Sequence, residues 1–132
     1  MADDPVRTTT EAQLLQAREA LDDAIGARAA GLSDSVIINR LYYACFHAAR
    51  AVLYDRNLNP SSHGGVLSLF GSDVVAIGDA PRENGRFLNR LSELRKQADY
   101  GYGEIDENLG VLCDRTEEFV SLAESLVSED AN

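Results

Sequence analysis

The chain has 132 residues, 45% of them hydrophobic, and carries 22 acids against 12 bases for a net charge of −10. A single domain of that length buries roughly 65–70% of the surface its unfolded chain exposes, so it needs neither a metal nor a disulfide staple, and no apolar run reaches the roughly 20 residues of a spanning helix. The acid excess disfavours diffuse binding to a phosphate backbone, so any nucleic-acid contact must use a local arginine cluster.

The polar, acidic opening MADDPVRTTTE is neither a secretory signal nor an Arg-rich transit peptide, which leads us to expect a soluble cytoplasmic protein with no membrane association. Residues 8–31 read as a first helix. The capping-box spacings Thr8 to Glu11 and Thr10 to Gln13 precede the apolar series Leu14, Ala17, Leu21, Ala24 and Ile25, and Gly31 ends it. Ser33 or Ser35 can cap a second helix that runs to about Arg56 before Asn57, Asn59 and Pro60 break it. It is nearly apolar all round, the mark of a central helix with several neighbours. Ser61-Ser62-His63-Gly64-Gly65 reads as a loop, followed by one or two helical turns within residues 66–75 and a connection at 77–81.

A third long helix begins near Arg82, carries Phe87, Leu88, Leu91, Leu94 and Ala98 on one stripe, and loosens at Gly101 and Gly103. The last helix starts near Asp106 or Asn108 and repeats Leu109, Leu112, Thr116, Phe119, Ala123 and Leu126 as a bundle seam. Neither sustained two-residue alternation nor an internal repeat occurs. The fold class is therefore all-α, an antiparallel bundle of four to five helices forming one domain over residues 8–128, with flexible termini at 1–7 and 129–132. Cys45 and Cys113 fall in helical contexts and read as small buried hydrophobes. With two histidines and no metal-type spacing, neither a metal nor a cofactor is expected. Every base except Lys96 is arginine, as suits either a high-salt cytoplasm or a GC-rich genome.

Several polar groups could carry chemistry. Arg40, Tyr43, His47, Arg50 and Tyr54 recur every three or four residues and share one face of the second helix. They serve either as an internal or subunit-interface hydrogen-bonding stripe or as an open groove for nucleotide or RNA. Arg95 lies four residues after Leu91 and can pair with Asp99 one turn on, just before Tyr100 and Tyr102. Arg82, Arg86 and Arg90 line the outer face of that helix, as solvated charge or as phosphate contacts. His63 is either a hydrogen-bonded turn residue or a catalyst.

Two stretches carry a family likeness. Asn39-Arg40-Leu41-Tyr42-Tyr43-Ala44-Cys45-Phe46-His47-Ala48-Ala49-Arg50-Ala51, with Ser61-Ser62-His63-Gly64-Gly65-Val66 and Phe70-Gly71 after it, resembles the prokaryotic HEPN family, in particular its small stand-alone members. Residues 91–100, ending Arg-x-x-x-Asp-Tyr, resemble that family's third long helix, and the likeness extends over residues 11–127. It implies a bundle that forms homodimers and is paired with a minimal nucleotidyltransferase in a toxin–antitoxin-like system. Active members are metal-independent ribonucleases whose signature is an arginine, four to six residues, then a histidine, with two copies meeting in a dimer cleft. Arg95 matches that arginine, but Tyr100 stands where the histidine would fall, and a phenol of ordinary pKa about 10 is a poor base near neutrality. Tyr102 matches a tyrosine that the nucleotidyltransferase modifies with AMP in some relatives.

The resemblance therefore leads first to a partner module that binds a nucleotidyltransferase and nucleotide or RNA. The rival is an active endoribonuclease toxin, with Arg95 and Asp99 at the phosphate and Tyr100 or His63 moving protons. A purely structural, self-associating bundle is the third reading.

Overall fold

The computed structural model describes residues 4–101 and 105–130, and among them every regular element is helical. Helix α1 spans Pro5–Ala29, α2 Asp34–Asp55, α3 His63–Phe70, α4 Arg82–Tyr100 and α5 Leu109–Asp130, with a π-helical turn at Gly71–Val75 after α3. The all-α bundle is as the sequence leads one to expect, with two changes at helix starts.

First, α1 begins at Pro5, not Thr8. Asp4 Oδ1 accepts from the Val6 N–H at 3.0 Å, and Pro5 sits where its missing N–H costs nothing. The threonines therefore lie inside the helix, and the Thr10 hydroxyl donates back to Val6 O at 2.7 Å. Second, His63 is the first residue of α3, not a loop residue. Ser62 caps that helix by accepting from the Gly65 N–H at 3.0 Å. Gly65 is closely packed there: a Cβ would sit 3.0 Å from Pro60 Cβ, which would have to give by a few tenths of an ångström.

The helix ends follow from local chemistry. Gly31 adopts a left-handed φ of 74°, which turns the chain so that Leu32 N–H reaches Ala27 O at 2.9 Å. Ser33 then starts α2, making α1 and α2 an antiparallel hairpin. Asn57, at φ 63°, repeats the device at the end of α2, and Asn108 Oδ1 accepts from Val111 N–H at 3.1 Å to open α5.

Helix α2 is the axis of the fold, packing against α1, α3, α4 and α5. Small residues, Ala17, Ala20 and Ala24 on α1 and Ala44 and Ala48 on α2, are buried where that hairpin closes. Leu88, Leu91 and Leu94 of α4 and Leu112, Phe119 and Val120 of α5 complete the core. The α5 seam is buried as anticipated apart from Leu109, which is half-buried, but Ile25 is 50% exposed and does not belong to the α1 stripe. Cys45 and Cys113 are free and buried.

Polar ties fix the helices around the site. The Arg56 guanidinium donates to Asp73 O at 3.0 Å and to Asp79 Oδ2 at 2.8 Å, clamping the end of α2 to the turn after α3. Arg18 spans α1 and α5 through Glu117, Ser121 and Glu124. No described helix is long and apolar enough to cross a membrane.

Candidate functional site

The site grows from one turn of α2. Tyr42 and Phe46 point inward at 0% and 5% exposure, while Tyr43 and His47 are half-buried on the adjoining face. A buried tyrosine needs a partner for its hydroxyl. Here the Tyr42 hydroxyl lies 3.0 Å from His63 Nδ1 at the start of α3 and also meets Ser92 of α4. The His63 ring stacks on Phe46 at 4.2 Å between centroids and 25° between planes, while its remaining surface is exposed.

Arg95 reaches the same place from α4. Its guanidinium carbon sits 4.9 Å from the Tyr42 ring centroid and 5.8 Å from that of Tyr43, and its Nη1 donates to Asp99 Oδ2 at 3.2 Å. Cation–π contacts of this kind contribute about 0.5–2 kcal/mol each. Arg95 Nε is buried without a hydrogen-bond partner. The anticipated Arg95–Asp99 pair is thus present, and it is joined by an imidazole that lies 32 residues away in sequence.

The other side of Tyr43 faces α1. Arg40 stands 5.3 Å over the Tyr43 ring and is held by Asn39 Oδ1. His47 Nδ1 lies 2.8 Å from Gln13 Oε1. With the Gln13 carboxamide oxygen toward the ring, Nδ1 is the donor of that bond. Arg40, Tyr43 and His47 line one wall of an open groove of about 310 Å³, whose other wall is Gln16, Glu19 and Asp23 of α1.

Electrostatics links the two halves. His63 is pushed below the usual histidine range by burial, then by Arg95, then by Arg50. His47 is pushed down by burial, then by Arg50, Arg40 and His63. Tyr42 is pushed above the usual phenol range by burial, which Arg95 partly offsets. The structure therefore brings together Arg95, Asp99, His63, Tyr43, His47 and Arg40, with Arg50 acting through its field.

Tyr54 lies further along α2, lining a separate groove with Val6, Asn57 and Asn59. Tyr100 is the last residue of α4 and is 70% exposed; Tyr102 lies outside the described residues. Tyr42, Phe46 and Gln13 are members the sequence reading missed, although a tyrosine hydroxyl on an otherwise apolar face was a usable signal. Among the described residues no group of three or more histidines, cysteines or carboxylates is gathered to hold a metal ion.

A family model described as HEPN domain matches residues 10–128. The chain belongs to the HEPN family. Among its relatives, the UPF0332 protein of Thermotoga maritima is 37% identical over 119 residues, covering 86% of this chain and 87% of that protein. A Methanocaldococcus jannaschii protein named "Putative toxin MJ0605" is 43% identical over 63 residues, 48% of this chain and 47% of its own. The UPF0332 protein glr0978 of Gloeobacter violaceus is 46% identical over 66 residues, 50% and 52% of the two chains. This HEPN chain thus has relatives that are named putative toxins.

A second, larger groove in the HEPN bundle, about 390 Å³, runs between α4 and α5 with Phe87, Arg115, Glu83 and Glu118 in its walls. It contains no histidine. Arg115 of α5 covers the Phe87 ring there at 4.3 Å, and of the outer arginine stripe Arg90 pairs with Glu107 at 2.8 Å.

The imidazoles give a pH signature. Burial and neighbouring arginines hold both below the ordinary histidine range, so below about 6.5 the unfolded chain binds more protons and stability falls as pH drops through that window. The melting temperature is expected to fall between pH 7.5 and 5.5, and by less in His47→Gln; an identical fall in both proteins would remove His47 from this linkage.

Proposed function

We propose that this HEPN protein is a toxin-like, metal-independent endoribonuclease whose phosphate chemistry is run by Arg95 and His63. One observation carries the reading: a guanidinium with a buried, unpartnered Nε stands beside an imidazole anchored at Nδ1. The histidine absent from position 100 is supplied in space from α3.

In this mechanism a ribose 2′-oxygen attacks the adjacent phosphorus and the bond to O5′ breaks, leaving a 2′,3′-cyclic phosphate and a 5′-hydroxyl. Arg95 donates to the non-bridging oxygens, where charge accumulates in the transition state. Asp99 takes one N–H of the guanidinium and so fixes the plane in which the others point. His63, with Nδ1 on Tyr42, offers Nε2 for proton transfer at near-neutral pH. The acidic surface elsewhere confines RNA to this arginine-bearing face.

Two partners belong to the same reading. A second copy packs near the exposed Tyr100 at the end of α4, and a minimal nucleotidyltransferase neutralises the toxin; the toxin name of a relative supports an antitoxin of some kind. Incubating the purified protein with single-stranded RNA in EDTA is the test. The expected result is fragments ending in 2′,3′-cyclic phosphate, and intact RNA, or cleavage only after divalent metal is added, would contradict it.

A further inference from the structure

We infer that the open seam between α4 and α5 is a docking groove for an amphipathic helix of a partner protein, one that sets a large apolar side chain beside an acid and a base spaced one turn apart. The inference stands apart from the RNA-cleaving reading, since the groove lies on the α5 side of α4 whereas Arg95 faces α2.

The bundle leaves a place for such a helix. Both α4 and α5 pack on α2, yet their backbones hardly approach each other. The gap between them holds two adjoining grooves of about 390 and 240 Å³, which share Glu83, Phe87 and Arg115. Along α4 they run from Glu83 to Arg90, about two helical turns. Phe87, Phe119 and Leu122 form the apolar part of the lining. No apolar side chain closes the seam over the Phe87 ring; the Arg115 guanidinium does so, at 4.3 Å. An apolar anchor from an incoming helix fits where a further helix of the bundle would have supplied one.

Charge decides what else that helix carries. On α4 Glu83 precedes Arg86 by three residues, and on α5 Arg115 precedes Glu118 by three, a spacing at which opposite charges on one helix can meet. Among the described residues neither pair closes, and none of the four forms an ion pair with any other group. The Phe87–Arg115 and Arg90–Glu107 contacts show that α4 and α5 run antiparallel. Arg86 therefore lies level with Arg115, and Glu83 with Glu118. The walls thus present an arginine rung and a glutamate rung one turn apart. An acid on the incoming helix meets the first rung, and a lysine or arginine three or four residues along meets the second. A second copy of this chain is the poorer occupant, because two chains of net charge −10 repel each other.

The probe is an alanine-based peptide of about 18 residues, long enough to be helical alone, with a phenylalanine anchor beside a glutamate and a lysine four residues apart. Titrated into ¹⁵N-labelled protein, it should give saturable amide shifts confined to residues 83–90 and 115–122. Arg86→Glu/Arg115→Glu should weaken binding at least about tenfold, since like charges then face each other. A peptide with its glutamate changed to lysine should regain affinity for that variant. Both arginines are exposed, so the variant should keep its helical signal; if it does not, Glu118→Lys with a lysine-to-glutamate peptide makes the same exchange at the other rung. Absence of saturable shifts at millimolar peptide, or binding indifferent to the charge reversals, overturns the inference. So does a dimer in sedimentation that Arg86→Glu/Arg115→Glu dissociates, because a second copy then fills the seam.

Discussion

Arg95→Ala is expected to cut RNA with kcat/KM reduced by about 10²–10³-fold, the cost typical of removing one preorganised donor from a developing oxyanion. The guanidinium is well placed for such a loss. It is clamped between the Tyr42 and Tyr43 faces and Asp99, so it pays little reorganisation when charge builds on the phosphate. Arg95→Lys should recover less than a tenth of the activity, because an ammonium can neither fork to two oxygens nor lie flat over the rings. Arg95 is partly solvent-exposed, with 23% side-chain exposure, so the alanine variant should melt within a few degrees of wild type. Single-turnover cleavage with calorimetry on the same samples separates the two effects. Cleavage by Arg95→Ala at wild-type rate would take the guanidinium out of the chemistry.

The second large effect belongs to Tyr42, where scaffold and site meet. Its ring is fully buried, stacks with Phe46 at 5.9 Å and underlies Arg95. Tyr42→Ala should therefore destabilise the fold by about 3–5 kcal/mol, as deletion of a buried aromatic generally does. Tyr42→Phe keeps the ring and removes only the hydroxyl shared by His63 and Ser92. It should cost about 1 kcal/mol. The same variant should lower kcat about tenfold with KM little changed, because the His63 imidazole is then free to rotate. Urea unfolding and steady-state kinetics report the two quantities. Full activity in Tyr42→Phe would show that the tether at Nδ1 does not matter.

The scaffold was legible because its signals are local and periodic. The α4 stripe of Phe87, Leu88, Leu91 and Leu94 and the α5 seam through Leu112, Thr116, Phe119, Ala123 and Leu126 are buried where their spacing puts them. The start of α1 was misread because Thr8 and Thr10 imitate capping residues, while the Asp4-Pro5 pair three residues earlier makes the better cap. His63 was misread as a loop residue because two glycines follow it. The Ser62 cap and burial of Val66 and Phe70 outweigh their poor helix propensity.

The site divides the same way. The Arg95–Asp99 pair is an i, i+4 relation and can be read from spacing. The approach of Arg95 to His63 depends on where α4 and α3 land on α2, and the His47–Gln13 tether on how α1 folds back. Tyr42 looked like core alone, since nothing in its spacing tells which buried hydroxyl will hold an imidazole.

The most direct measurement exploits the presence of only two histidines: their Hε1 proton resonances, followed by NMR during titration with a 2′-deoxy-blocked oligonucleotide that binds but cannot be cut. The His63 resonance should shift, and its imidazole should titrate at higher pH when a phosphate is bound beside it and Arg95. Resonances and titration curves unmoved at saturating oligonucleotide would contradict a phosphate site at Arg95 and His63.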